Sequence, residues 1–409
     1  MSKAVSKVAD KVVSEQLNAG LSVRLSQQAP IPLDAALDCA PGELLALVGP
    51  SGSGKTTILR CIAGLQAAAT GEVRCGKDVW FERGNYKNNN KNLHLPPQNR
   101  RVGFVFQNYA LFPHLTALEN VVTALNHLPA SERALRAREL IARVHLEGLE
   151  ERRPQALSGG QQQRVAVARA LARVLQNRSS VLLLDEPFSA VDQVTRRKLQ
   201  HELARLRATL NIPMIMVTHD LDEARMLADR ITILHRGTTL QSGTPEEVLS
   251  RPKNASVARL VQLTNVFEGA VVAGDAEGLG KGAARRRLQW LNYSLEIENQ
   301  SLVDELTLSV AQQNKVCWVI PPEHIVLHQR VRPSQGEREN PVTGELTDCT
   351  LMGETTSLTL LANNDRNGSL TFNVPTHVAR RNSLMVGETI SVSLRAEGIH
   401  LMPWEQLRD

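Results

Sequence analysis

The chain contains 409 residues, of which 42% are hydrophobic and 22% are charged, and its formal net charge at pH 7 is +5. This length accommodates two or three domains with cores of their own, and the composition is typical of a soluble globular protein. No apolar run approaches the roughly 18 residues that cross a bilayer, the N-terminus lacks the apolar core of a secretory signal, and no long basic run indicates a nucleic-acid partner.

The chain changes character near residue 264. Before it, short apolar runs alternate with amphipathic stretches, a pattern that predicts an α/β domain with a parallel sheet. Buried strands are predicted at 44–48, 181–184 and 214–217, and helices at 57–65, 131–147 and 194–210. After residue 264, β-like segments such as 316–320, 357–361 and 389–394, separated by Gly, Pro and Asn, predict a smaller all-β domain of barrel type. The predicted organisation is an N-terminal extension at 1–20, the α/β domain at 21–263 and the β-rich domain at 264–409.

A phosphate-binding loop follows the first of these predicted strands. Residues 49–57 fit G-x-x-x-x-G-K-[ST], in the order strand, loop, helix that the motif requires. The glycines allow a tight turn that points backbone N–H groups at an anion, and the helix N-terminus adds to this attraction. Lys55 can reach the outer phosphates, and the Thr56 hydroxyl can ligate Mg²⁺. The predicted nucleotide contacts are Gly49, Pro50, Ser51, Gly52, Ser53, Gly54, Lys55, Thr56 and Thr57.

Two acidic residues end the predicted strand at 181–184. Because that strand is buried, its carboxyl end can place Asp185 and Glu186 beside the phosphate loop. We predict that Asp185 holds Mg²⁺, directly or through water, and that Glu186 is the general base that polarises the attacking water.

A second anion-binding surface is predicted at residues 157–161, called the signature segment below. Its hydroxyl and glycines precede an arginine-rich helix, so they offer donors at a helix start. Two phosphate cradles in one chain are best explained by a homodimer in which each signature segment closes on the partner's ATP. The residues of this segment are Leu157, Ser158, Gly159, Gly160 and Gln161.

Taken together, these segments resemble the nucleotide-binding subunit of an ATP-binding cassette (ABC) transporter, over roughly residues 21–260. The resemblance adds Gln107, Asp192 and His219, which match the family's Q-loop, D-loop and switch positions. It implies that Gln107 and His219 are catalytic residues. Gln107 would also bind and sense Mg²⁺ near the membrane partner, and His219 would contact the γ-phosphate and position the attacking water. Asp192 would contact the partner's ATP across the dimer. One departure concerns adenine: residues 21–48 contain no aromatic residue to stack on the base, and 27–30 is where it is expected.

The resemblance also predicts which kind of transporter this is. A single cassette without a membrane span is similar to bacterial importers, which implies separate permease chains and, indirectly, an extracytoplasmic solute-binding protein. Residues 321–325 and 353–358 resemble segments of the transport-associated OB (TOBE or Mop-like) domain. The stretch 100–116 looks most like sulfate and molybdate importers, so the predicted substrate is an oxyanion (molybdate, tungstate or sulfate).

Other functions stay open at this point. A polyamine, iron or other small-solute importer would use the same ATPase, and a soluble ABC ATPase of DNA repair or translation is a further alternative. The C-terminal domain could also bind a regulatory ligand. The expected location is peripheral, on the cytoplasmic face of the inner membrane. The scattered cysteines, without a C-x-x-C pair, fit a reducing cytoplasm.

Overall fold

The computed structural model describes residues 20–84, 92–175, 179–189, 191–273, 286–298, 314–328 and 339–405. The predicted N-terminal extension therefore lies almost entirely outside the described residues. The chain divides into two compact units, Met1–Pro245 and Glu246–Asp409. Among the helices of the described residues, none combines the length and the apolar character needed to cross a bilayer.

The first unit is built on one mixed sheet. Its described strands lie in the order β6-β5-β4-β1-β2-β11-β10-β3-β9-β8-β7, and the neighbours from β10 to β7 are parallel. Three of the central strands, β3, β8 and β9, are buried at every residue, which explains their continuous apolar sequences. The strands are β1 Leu21–Gln27, β2 Leu33–Cys39, β3 Leu44–Val48, β4 Thr70–Cys75, β5 Asp78–Arg83, β6 Leu93–His94, β7 Val102–Val105, β8 Val181–Asp185, β9 Met214–Thr218, β10 Arg230–His235 and β11 Thr238–Gly243.

The helices predicted for this unit are present, with small shifts at their ends, and two further helices, Ala117–Val122 and Leu221–Leu227, were not predicted. The helix after the phosphate loop ends at Ala63 because Gly64, at φ 78°, forms a left-handed C-cap. The predicted helices at 131–147 and 194–210 end at Arg143 and Thr209. The helices are α1 Lys55–Ala63, α2 Ala117–Val122, α3 Ala130–Arg143, α4 Gly159–Val174, α5 Gln193–Thr209 and α6 Leu221–Leu227.

A buried arginine joins α1 to the strands beside it. Arg100 is 0% exposed, and its guanidinium donates to the carbonyls of Cys61 and Ile62 in the last turn of α1, at 2.7 and 2.8 Å. It also donates to the carbonyls of Leu95 and Trp80. Burial lowers the pKa of Arg100 to about 10. The helix C-terminus thus receives a cation where its free carbonyls favour one.

The second unit confirms the predicted all-β domain. Its described strands form two five-stranded antiparallel sheets, in the orders β14-β13-β12-β15-β21 and β16-β20-β17-β18-β19. Residues of both sheets share one core, in which the rings of Phe267, Trp290 and Trp318 lie 4.9 to 5.1 Å apart. The strands are β12 Val266–Ala273, β13 Arg286–Trp290, β14 Tyr293–Glu296, β15 Lys315–Val319, β16 Ile325–Leu327, β17 Pro341–Met352, β18 Thr355–Ala362, β19 Ser369–Pro375, β20 Thr389–Leu394 and β21 His400–Pro403.

Three short helices accompany these strands: α7 Pro245–Ser250, α8 Ala255–Leu260 and α9 Thr376–Arg381. None of the three was predicted from the sequence. The β-like segments predicted at 316–320, 357–361 and 389–394 lie largely on β15, β18 and β20.

Candidate nucleotide-binding site

The phosphate loop joins β3 to α1 and depends on its glycines. Gly52 and Gly54 have φ of 80° and 96°, in the left-handed region that glycine adopts without strain. A Cβ on Gly49 would lie 2.0 Å from the carbonyl oxygen of Leu234, so the backbone approaches β10 too closely for any side chain. The sequence therefore fixes the curvature of the loop at three positions.

Two side chains of the loop have hydrogen-bonding capacity that suits an anion. Lys55 is 6% exposed, and its Nζ donates to the carbonyls of Gly49 and Pro50 at 2.7 and 2.9 Å. Burial lowers the pKa of Lys55, while Glu186 and Asp185 act in the opposite direction. The Oγ of Ser53 is buried and has no hydrogen-bond partner among the described residues. Phosphate oxygens would accept from both groups, so the loop fits a nucleotide.

The end of β8 brings a carboxylate to the phosphate loop, as predicted. The Thr56 hydroxyl donates to Asp185 Oδ1 at 3.0 Å. Burial raises the pKa of Asp185, whereas the hydrogen bond from Thr56 lowers it. In the described residues, no group of three or more His, Cys, Asp and Glu side chains could hold a metal ion alone. The hydroxyl and carboxylate pair offers hard oxygen donors, which would suit Mg²⁺ if phosphate oxygens supplied further ligands.

Glu186 lies between the other two predicted catalytic residues. Gln107 Nε2 donates to Glu186 Oε2 at 3.1 Å, and His219 Nδ1 lies 3.6 Å from Glu186 Oε1. Glu186 has φ of 45°, a conformation that costs energy for a residue with a side chain. Its backbone N–H donates to the carbonyl of Val217, which holds it at the ends of β8 and β9. The structure thus brings together three residues that are far apart in sequence.

A small cavity of about 70 Å³ lies next to this cluster, lined by Glu186, Ser189, Arg196, Thr218, His219, Asp220 and Glu223. It has room for one or two waters.

A hydrogen-bonded group that the sequence did not reveal forms one wall of this cavity. Glu223, 6% exposed, accepts from the Thr218 hydroxyl at 2.7 Å, and burial raises its pKa. The carboxylate of Asp220 accepts from the N–H groups of Asp222 and Glu223 and so caps α6. The sequence signal that could have found this group is the helix cap at Asp220.

The signature segment forms the start of α4, and its polar groups bond to each other. Ser158 Oγ accepts from the N–H of Gln161 at 3.3 Å, and Gln161 Oε1 accepts from the N–H of Ser158 at 3.0 Å, which is a capping box. A Cβ on Gly160 would lie 2.7 Å from Thr195 Cγ2. Among the described residues, no hydrogen bond joins this segment to the phosphate loop.

Asp192 is the N-cap of the neighbouring helix α5. Its Oδ1 accepts from the N–H groups of Val194 and Thr195 at 3.1 and 3.0 Å, and the hydrogen bonds from Thr195 lower its pKa. Asp192 and the signature segment therefore lie on adjacent helix starts, because Gly160 packs against Thr195.

An aliphatic side chain, Ile31, directly follows the stretch 27–30 in which the aromatic residue for adenine was expected. Gln27 Nε2 donates to the carbonyl of Ile31 at 2.7 Å, and Ile31 is 38% exposed. Ile31 Cγ2 and Leu33 Cδ2 lie 3.9 and 2.8 Å from the position of a Cβ built on Gly54. An exposed apolar group therefore borders the phosphate loop.

The fold and the site define a P-loop ATPase. A family model described as ABC transporter matches residues 33–189. The spermidine/putrescine import ATP-binding protein PotA of Vibrio vulnificus is 37% identical over 322 residues, which cover 78% of this chain and 76% of that protein. The sulfate/thiosulfate import ATP-binding protein CysA of Caulobacter vibrioides is 46% identical over 276 residues, covering 64% of this chain and 76% of that protein.

Among solved structures, a dimeric post-hydrolysis state of an ATP-binding cassette bound to ADP and Pi is 32% identical. It covers 55% of this chain and 98% of that one, with a TM-score of 0.45. The PotA relative is 37% identical over 78% of this chain and 76% of its own length, which is sufficient to assign the family. The chain belongs to the ABC transporter family, as an ATP-binding subunit that hydrolyses ATP.

Proposed function

We propose that this chain is the ATP-hydrolysing subunit of an importer whose pore is formed by separate permease chains. The observation that carries the proposal is the cluster of Glu186, Gln107 and His219 beside the phosphate loop and Asp185. Two import ATP-binding proteins among its relatives support the direction of transport. The protein would act at the cytoplasmic face of the inner membrane, and a solute-binding protein would deliver the substrate outside.

Each residue of the site has a role in this proposal. Lys55 and Ser53 bind phosphate oxygens, and Thr56 and Asp185 hold Mg²⁺, which neutralises charge on the phosphates when bound. Gln107, at 3.1 Å from Glu186, fixes the orientation of the carboxylate and stands close enough to respond to the metal. Glu186 accepts the proton of the attacking water, and His219 positions that water and the γ-phosphate.

The signature segment and Asp192 act across a homodimer in the same proposal. Their capped helix starts carry N–H groups with partial positive charge, which suit the phosphates of a partner's ATP. Closure of the dimer on two ATP molecules would move the permease chains, and hydrolysis would reopen it. Residues 264–409 would form the transport-associated OB-like domain that regulates this cycle.

The proposed substrate is an oxyanion such as sulfate or molybdate, because the sulfate/thiosulfate relative has the higher sequence identity, 46% against 37% for the spermidine/putrescine relative. A polyamine is the second candidate, since the match to the spermidine/putrescine relative extends over more of the chain, 322 residues against 276.

The tagged chain, purified from solubilised native membranes, tests this function. We expect a permease to co-purify, and we expect vesicles containing the complex to take up labelled sulfate or molybdate in an ATP-dependent way. Uptake of spermidine but not of sulfate would select the second candidate. Recovery of soluble partners only would reject the transport function and leave the ATPase intact.

Ile31 is proposed to pack against adenine in place of an aromatic side chain. Base stacking on an aromatic ring is worth about 1–3 kcal/mol relative to alanine. Ile31→Tyr should therefore tighten ATP binding about fivefold or more, measured with a fluorescent nucleotide, and Ile31→Ala should weaken it. The exposed Leu65 offers the matched control Leu65→Tyr, for which we expect no change. Equal affinities for wild type, Ile31→Tyr and Ile31→Ala would place adenine elsewhere.

A further inference from the structure

A second, larger cavity lies between α4, α5 and the end of β8, and the nucleotide site does not use it. Its volume is about 450 Å³, within the roughly 300–1,000 Å³ that is typical of pockets for small organic molecules. Its wall is mainly apolar and includes Val167, Leu184, Phe188, Leu199, Leu203 and Leu206. A ligand of this cavity therefore has an apolar body.

Charged side chains of one predominant sign line the same cavity. Arg164 Nε lies 3.2 Å from Glu202 Oε2, so these two charges offset each other. Arg143 and Arg205 also line the cavity, are exposed, and have no ion-pair partner in the described part of the chain. The opening of the cavity to solvent thus has an excess of positive charge, which favours an anionic group on the ligand.

A buried amide supplies a third feature. Gln163 lines the cavity and is 3% exposed, and its Oε1 has no hydrogen-bond partner among the described residues. Buried amide oxygens are normally paired, because an unpaired one loses its hydration without compensation. A ligand with an N–H or O–H group next to its apolar body can satisfy this amide after a rotation of the side chain.

We propose that this cavity binds a small amphipathic organic anion, with its apolar body against Phe188 and Leu203 and its anionic group near Arg143 and Arg205. Phe188 follows Glu186 by two residues, and Gln163 lies on α4, the helix that begins with the signature segment. A ligand held here therefore contacts a residue close to Glu186 and a residue on the helix that begins with the signature segment. The site is distinct from the nucleotide site, so its ligand does not compete with ATP.

Two dyes of nearly the same apolar shape test the proposal on the full chain without nucleotide. 8-Anilinonaphthalene-1-sulfonate has a sulfonate and an N–H group, and N-phenyl-1-naphthylamine lacks the sulfonate. In a fluorescence titration at low salt, we expect saturable binding with one site per chain and an affinity about fivefold higher for the sulfonate, given the modest strength of partly exposed ion pairs. Arg143→Ala with Arg205→Ala should remove that difference. Equal affinity of the two dyes for the wild-type chain would overturn the proposal.

Filling the cavity tests its position. Leu206→Trp places an indole ring in the cavity in place of a smaller aliphatic side chain. It should lower the affinity for 8-anilinonaphthalene-1-sulfonate at least tenfold, while ATP affinity is retained. Leu135→Trp is the matched control, because Leu135 is 66% exposed on α3 and does not line the cavity. If Leu206→Trp does not fold by circular dichroism, Val167→Phe fills the cavity from α4. Unchanged dye binding in a folded filling variant would place the dye elsewhere and reject this site.

Discussion

The phosphate loop and the signature segment are both helix starts that are predicted to bind anions, but they differ in how their polar groups are used. The phosphate loop holds Ser53 with an unpaired buried hydroxyl and Lys55 with only backbone carbonyls as hydrogen-bond partners. In the signature segment, Ser158 and Gln161 satisfy each other in a capping box. The phosphate loop therefore has polar groups left for a bound ligand. The side chains of the signature segment are already hydrogen-bonded within the chain, and we propose that its ligand comes with a partner subunit.

The largest expected effect concerns Glu186, the proposed general base beside the phosphate loop. Glu186→Gln removes the proton acceptor but keeps an oxygen for the hydrogen bond from Gln107. We expect ATP turnover to fall by about 10²–10⁴, as for loss of a general base, with nucleotide affinity retained and a closed dimer accumulating. Phosphate release and gel filtration with ATP measure the two properties. Glu139→Gln, at an exposed carboxylate on α3, is the control, and rapid turnover by Glu186→Gln would remove Glu186 from this role.

A second variant separates the two uses of Ser158. Ser158→Asp keeps an N-cap acceptor of equal quality, so thermal stability should be retained, but it places a negative charge where we propose the partner's phosphates bind. We expect turnover to fall about a hundredfold, similar to the loss of a group that stabilises transition-state charge. Thr116→Asp makes the same change in the capping box of α2 and should leave turnover intact. Normal turnover of Ser158→Asp would reduce the signature segment to a helix cap.

A smaller effect is expected from the cation of the phosphate loop. Lys55→Ala removes a charge-assisted hydrogen bond to phosphate, worth about 1.5–3 kcal/mol, so the affinity for ATP should fall roughly tenfold to a hundredfold. Equilibrium binding of a fluorescent nucleotide measures this change. Lys77→Ala, in the exposed turn between β4 and β5, removes the same charge away from the loop. Identical affinities of the two variants would contradict the assignment of Lys55.

The smallest effect is on stability and depends on pH. Burial raises the pKa of Asp185 above its unfolded value, so the ionised carboxylate destabilises the folded chain at pH above that raised pKa. The penalty disappears as pH falls through the raised pKa towards the unfolded value. Asp185→Asn should therefore unfold at a higher temperature than wild type at neutral pH, without Mg²⁺ or nucleotide, and lose this advantage in acid. Asp78→Asn, at an exposed carboxylate, is the control, and an advantage independent of pH would assign the gain to packing.

The parts of the site that the sequence predicted are those encoded in one contiguous stretch. The run Leu44–Val48, the glycines that follow and Lys55 determine strand, turn and helix start together, and the strand lies where it was predicted. The strand before Asp185 was recognisable for the same reason, since an all-buried strand has a continuous apolar sequence.

The parts that could not be derived from the residues depend on packing between distant elements. Gln107 and Glu186 are 79 residues apart, and only the family resemblance linked them before the hydrogen bond was seen. From the sequence, Glu223 is an ordinary helix residue, and only the structure shows that the hydroxyl of Thr218, at the end of β9, donates to its carboxylate. Ile31 borders the phosphate loop across 23 positions of sequence from Gly54, and Gln27 donates to its carbonyl. The 450 Å³ cavity arises where α4 and α5 pack imperfectly, which no local pattern encodes.

Arg100 gives the first unit a mechanical property. Its guanidinium joins the last turn of α1 to the segments on either side of it, and β7 begins two residues later and leads to Gln107. Separating a fully buried cation from its carbonyl partners would cost a large amount of free energy. We therefore expect α1 and the start of β7 to move together as one rigid unit. If ATP binding displaces the phosphate loop and α1, β7 would then be displaced with them, and Gln107 at its end would shift too.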